Sequence, residues 1–197
     1  PDPHTIYTYD STANSWAPIG QIFYLRCGQE SATIMNDGRM LIAGGETGGG
    51  RQNPTMEIWD PKIGGIATVI GYMKTPRSGH TATLLPNGSV LLAGGLYGMS
   101  RLSNCELVPP SLVGQTGPSM AVERTNHSAT YLTNGKILMV GGGISPILEI
   151  FDPESGKFNS VGTLNPAVIN CAAVAALPGG RAIIAGGYLA GFGLPTV

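Results

Sequence analysis

Four double glycines, each closing a short apolar run, recur along the chain at nearly constant spacing. They are Gly44-Gly45 after MLIA, Gly94-Gly95 after VLLA, Gly141-Gly142 after ILMV and Gly186-Gly187 after AIIA, at intervals of 50, 47 and 45 residues. A fixed period of this kind marks one supersecondary unit repeated along the chain, whose apolar faces are buried only when neighbouring units stack. The period is too long for a leucine-rich or ankyrin unit and fits a unit of four strands.

Each doublet ends a longer phrase. Residues 77–95 read RSGHTATLLPNGSVLLAGG and 124–142 read RTNHSATYLTNGKILMVGG; further copies span 25–45 and 169–187. In each, an apolar run enters an NDG, PNG, TNG or PGG turn and a second run returns, the strongest local signal for a β-hairpin. A weaker strand pair follows downstream, as in TMEIWDPKIGGIATV (55–69) and ILEIFDPESGKFNSV (147–161), and the chain opens on the same form at 6–19. There the spacing sets Tyr9 with Trp16, Trp59 with Ile66 and Phe151 with Phe158.

The doublets, the Arg before the first strand, the aspartate turn and the spaced aromatics resemble kelch repeats. HTATLLPNGSVLLAGG in particular is similar to the variety found in the central domain of galactose oxidase and its bacterial relatives. The resemblance implies an all-β fold, a β-propeller of four-stranded antiparallel blades. It divides the chain into a half-blade at 1–20, blades at about 25–72, 76–120 and 123–166, and a half-blade at 169–187. Two architectures stay open: a ring of four blades closed by the terminal halves, or an arc of a larger propeller completed by further blades or domains. The resemblance also favours an extracellular or cell-surface setting.

Composition narrows the function. Charged residues make up 12% and the net charge is -1, so there is no basic footprint for nucleic acid. No apolar run approaches the length of a membrane span. Cys27, Cys105 and Cys171 are far apart and form no CxxC pair; they read as small apolar residues. There is no phosphate loop, GxSxG elbow or HExxH.

The double glycines Gly44, Gly45, Gly94, Gly95, Gly141, Gly142, Gly186 and Gly187 are expected to serve the repeat itself. His80 and His127 share a repeat position and are expected to hydrogen-bond within their own blades, with metal ligation as the weaker alternative. Arg77 and Arg124 also share a position, Arg26 lies one residue out of register, and Glu57, Glu106 and Glu149 recur as structural residues. Topology puts the hairpin turns on one face and the variable loops on the other, where recognition on rigid scaffolds is concentrated. The loop at 46–55 offers Arg51, Gln52 and Asn53, and that at 96–104 offers Tyr97, Met99 and Arg101. Arg26, Arg77 and Arg124 are expected to extend this patch. The reading that follows is a scaffold binding a protein or carbohydrate partner without a cofactor. The alternative implied by the resemblance is a copper radical oxidase or another carbohydrate-active propeller enzyme.

Overall fold

The computed structural model describes residues 2–164 and 173–187, and no helix occurs among them. The chain begins with an antiparallel hairpin of β1 (Thr5–Asp10) and β2 (Ser15–Gln21). Next come β3 (Glu30–Ile34), β4 (Met40–Gly44), the short β5 (Glu46–Thr47) and β6 (Arg51–Gln52), β7 (Thr55–Trp59), β8 (Gly65–Ile66) and β9 (Thr68–Tyr72). The second repeat holds β10 (Thr81–Leu84), β11 (Val90–Ala93), β12 (Leu96–Tyr97), β13 (Ser100–Val108) and β14 (Gln115–Arg124). The third holds β15 (Ser128–Tyr131), β16 (Ile137–Val140), β17 (Ile147–Asp152) and β18 (Lys157–Thr163), and the last described hairpin is β19 (Ala173–Leu177) with β20 (Arg181–Ala185). The fourth sequence copy starts before Ala173, so its residues 169–172, Cys171 among them, lie outside the described residues, as do 165 and 166 of the third.

Three sheets share one antiparallel order: β3-β4-β7-β9, β10-β11-β13-β14 and β15-β16-β17-β18. Their first strands form a row, β3 against β10, β10 against β15 and β15 against β19. The first hairpin of each repeat closes on a four-residue turn. Gly88 donates to Leu85 (2.9 Å) while Leu85 donates to Ser89 (2.7 Å), and the turns at Met35–Gly38 and Leu132–Gly135 repeat this pattern. The Asn or Asp before the glycine accepts from the backbone two residues on, as Asn87 does from Ser89 (3.0 Å).

Side chains alternate between the two faces of a sheet, so each middle sheet is apolar on both. Leu41, Ala43, Met56 and Ile58 pack against Val90, Leu92 and Val108 of the second sheet. Leu91, Ala93 and Met120 face Ile137, Met139 and Phe151 of the third. Leu138 and Val140 meet Val174, Ala182 and Ile184. On the other side of the first sheet, Ile42 and Trp59 meet Ile6 and Ile22.

Two of the spaced aromatic pairs stand opposite each other, Tyr9 with Trp16 and Phe151 with Phe158, with ring centroids 4.8 and 5.0 Å apart. The third does not form. Gly64 and Gly65 both take positive φ and divert the chain, so that β8 runs parallel to β2 and the partner of β7 is β9. Closure of a four-sheet ring by the terminal hairpins is not seen either: β1 pairs with β2 and β19 with β20, and the two hairpins do not pair with each other.

Gly94 shows why the doublet is glycine. Its φ is +61°, and a Cβ there would lie 2.6 Å from the carbonyl oxygen of Arg124 in the next repeat. The neighbouring Gly95 N–H donates to that same oxygen at 2.7 Å, so the approach is fixed by a hydrogen bond. Gly94→Val is therefore expected to destabilise the fold by about 2 kcal/mol or more, lowering the thermal midpoint by about 4–8 °C. Calorimetry showing an unchanged midpoint would contradict this role.

Candidate functional site

The loop end of the sheets is built on buried arginines. Arg77 is fully buried; its Nη1 donates to the Gly94 carbonyl (2.6 Å) and the Asn104 carbonyl (3.0 Å), and its Nη2 to Glu106 (3.0 Å). Arg124 repeats this with Gly141 (2.6 Å) and Glu149 (3.0 Å). Arg26 does so with Gly44, Thr55 and Glu57, and its contact to Glu57 is 2.6 Å. The extra residue of the first repeat is absorbed at Gly28 (φ 119°) and Gln29 (φ 59°), so the sequence offset of Arg26 disappears in space. Each glutamate also accepts from the backbone leading into the first strand. Glu106 takes the N–H groups of Lys74 (2.8 Å) and Thr75 (3.0 Å), Glu57 those of Phe23 and Tyr24, and Glu149 that of Ala121.

Arg26, Arg77 and Arg124 therefore do not extend a contact patch: all three are buried and committed to carbonyl, hydroxyl and carboxylate oxygens. Asn53 is corrected in the same way. It is buried, and its side-chain oxygen accepts from the N–H (2.8 Å) and hydroxyl (2.7 Å) of Thr55, which in turn receives Arg26.

The histidines are also interior. His80 Nε2 lies 2.8 Å from the Ser31 hydroxyl and His127 Nε2 2.9 Å from the Thr81 hydroxyl. These partners belong to the preceding repeat, so the histidines join adjacent sheets where bonding within one blade was expected. Burial pushes both down to about 3, helped for His80 by the Arg77 charge and for His127 by that of Arg124. Among the described residues no group of His, Cys, Asp and Glu is placed to hold a metal ion. Cys105 is buried and its thiol pushed up to about 12, chiefly by desolvation, while Cys27 is exposed.

What remains on the loop end is a platform from two neighbouring repeats. β5 and β6 form a small hairpin tipped by Gly48, Gly49 and Gly50, with Arg51 exposed on its return. β12 and the start of β13 form a second, Leu96 opposite Arg101 and Tyr97 opposite Ser100, with Gly98 and Met99 at its tip. The two are tied together: Gln52 Oε1 accepts the Gly98 N–H at 2.9 Å. Below them, Ser78 donates to Glu46 at 3.1 Å. Tyr97 is 52% exposed and Met99 fully so, while Arg101 is half-buried beside them. Ile144, in the corresponding loop of the third repeat, is also exposed. The bridge from Gln52 to Gly98 and the exposure of Ile144 had no signal in the sequence, since neither loop's path is set by periodicity.

The turn end is less bare than its short hairpins imply. One cleft of about 270 Å³ opens between the second and third repeats, lined by Asn87, Asn134, Lys136, Asp152 and Glu154. Its counterpart between the first and second repeats, of about 160 Å³, is lined by Asn36, Asp37, Asn87 and Pro110. Both fall below the roughly 300–1,000 Å³ of small-molecule sites. The Lys136–Asp152 pair, 3.2 Å apart, holds the Asp152 carboxyl below the usual carboxylate range.

Comparison with known proteins adds no identity: no protein-family profile matches the chain and no curated protein is similar to it. Among the described residues there is no helix, and so none long and apolar enough to cross a membrane.

Glu106→Gln leaves the Arg77 charge buried without its partner and is expected to cost about 3–5 kcal/mol. Arg51→Ala removes only an exposed side chain and should change stability by no more than about 0.5 kcal/mol. Denaturant unfolding of both variants checks the contrast, which fails if the two shifts are alike. The histidines give a pH signature. They are neutral in the fold and take up protons on unfolding between about 3 and the ordinary value of 6.5. Their contribution is therefore complete above pH 6.5 and falls as pH drops through that window, by up to about 1.4 kcal/mol per pH unit for each. His127→Gln should flatten the decline between pH 6 and pH 4 in urea titrations; a slope equal to that of the unaltered protein would refute this.

Proposed function

We propose that this chain is a kelch-like β-propeller scaffold whose four-stranded sheets are blades, and that it binds a protein or carbohydrate partner through its loop end. Three features support the blade reading: the shared strand order, the burial of each middle sheet on both faces, and the repeated contact between double glycine and next-repeat carbonyl. The observation that carries the binding reading is the two-hairpin platform, joined by Gln52 and Gly98 and exposing Arg51, Tyr97 and Met99. Arg and Tyr are the residue types that most often anchor interfaces, and exposed Met adapts to a partner's shape. The platform stands over the buried ion pairs Arg26–Glu57 and Arg77–Glu106, whose charged groups are committed to one another, so its exposed side chains are what it offers a partner.

The test compares the unaltered protein with an Arg51→Ala, Tyr97→Ala, Met99→Ala variant on an oligosaccharide array and in affinity capture from secreted-protein extracts. A ligand should be retained by the first and lost by the second while both unfold at the same temperature. Equal retention by both, or retention abolished instead by Lys136→Ala at the turn end, would overturn the assignment to the loop end.

A further inference from the structure

The two loop hairpins are built alike, and one pair of matching residues differs in chemistry. Gln52 lies opposite Glu46 and Arg101 opposite Leu96, in each case the first residue after the double glycine. The residue that follows, Asn53 or Leu102, donates its N–H to the second glycine, Gly45 or Gly95, at 2.8 and 2.9 Å. Gln52 precedes the buried Glu57 by 5 positions, as Arg101 precedes Glu106. Arg101 is therefore the counterpart of Gln52 in the second repeat.

In the first repeat this position reaches toward the next repeat, where Gln52 Oε1 accepts the Gly98 N–H at the tip of the second hairpin. The second repeat has no such neighbour. Gly95 and Glu106 are 11 residues apart, whereas Gly142 and Glu149 are 7 apart, and the chain passes from β16 to β17 without a hairpin. A notch is left beyond Arg101, between two repeats that are both described. The Arg101 guanidinium makes no hydrogen bond or ion pair among the described residues, and its Nε is shut off from solvent without a partner. Arg26 and Arg77 also leave Nε unpaired, but their Nη groups hold carbonyls and carboxylates. Glu123, exposed near the end of β14, forms no ion pair with Arg101, and residues 165–172 and 188–197 contain no Asp or Glu. A half-buried cation without an anion has given up hydration for nothing in exchange. Arg51, by contrast, stays exposed.

We propose that Arg101 receives a carboxylate of the partner, and that this partner is a carbohydrate bearing uronate groups. A carboxylate meets the edge of a guanidinium with two parallel N–H bonds, a geometry that no ammonium offers. A uronate carries its carboxylate rigidly on a ring, and the apolar face of that ring suits Ile144, which is exposed in the short loop of the third repeat. An Asp or Glu side chain of a peptide would have to give up rotamer freedom to be held in the same place. The inference rests on the loop end being the binding surface and names the ligand chemistry on its side toward the third repeat.

The experiment titrates the full chain calorimetrically with oligomers of galacturonate, glucuronate and mannuronate, with the same oligomers after reduction of their carboxyl groups, and with a polyglutamate peptide. At least one uronate oligomer should bind, more weakly as salt is raised, and its reduced form should bind about tenfold less tightly or worse. Arg101→Gln, which installs the residue of the first repeat, should weaken uronate binding by about tenfold or more, and Arg101→Lys should restore little of it. Lys62→Gln removes the same charge from the turn after β7 and should leave binding unchanged. Arg101→Gln should unfold at the same temperature as the unaltered protein or higher, because no carboxylate loses its partner; a lowered midpoint would make Arg101 a structural residue and overturn the proposal. It is overturned as well if no uronate oligomer binds, if the reduced oligomers bind equally, or if Arg101→Gln binds uronates undiminished. In those cases the loop-end reading is still decided separately by the variant at Arg51, Tyr97 and Met99. Binding of polyglutamate in place of the uronates, lost in Arg101→Gln, would make the partner an acidic peptide and overturn the carbohydrate assignment.

Discussion

The buried arginine of each repeat is the constraint on which the rest of the molecule depends. Arg77 gathers the carbonyl that ends one strand, a carbonyl of the next strand over, and the Glu106 carboxylate. That carboxylate in turn holds the two N–H groups by which the chain enters the sheet. Only a guanidinium has donors enough, in a rigid plane, to meet all of these at once. A buried ion pair need not be more stable than an apolar cluster of the same volume, but once built it penalises any arrangement that separates the partners. The entry to the first strand, the end of the second and the third strand are thus brought together in three successive repeats.

From this follows the way the sheets succeed one another. The double glycine receives the arginine at its carbonyl and, through the next N–H, reaches the carbonyl of the following repeat's arginine. The histidine that comes three residues after that arginine crosses back to a hydroxyl of the preceding sheet. Polar contacts set the spacing of neighbouring sheets near the loop end, and the apolar layers between them fill what that spacing leaves.

Much of this was legible in the residues. The hairpins, their turns and the pairs that set Tyr9 opposite Trp16 and Phe151 opposite Phe158 follow from local chemistry, because Asn-Gly, aspartate turns and alternating apolar residues act over a few positions. What escaped depended on distant partners. Arg77 and Arg124 look like exposed charges until Glu106 and Glu149, some 25 to 29 residues away, are seen to cover them. Arg26 looks misplaced until a positive-φ glycine takes up the extra residue. Trp59 and Ile66 have the right spacing, and two glycines between them send the chain elsewhere. Of the candidate contacts, Arg51, Tyr97 and Arg101 stand on the loop hairpins, whereas Asn53 sits beneath them because Thr55 needs its oxygen.

The hydrogen bond from Gly98 to Gln52 makes the two loop hairpins a single mechanical object. A change of length in one would drag or release the other, so mutational drift in these segments should be correlated. New specificities would then arise by exchanging the hairpins as a matched set, with the sheets beneath left as they are.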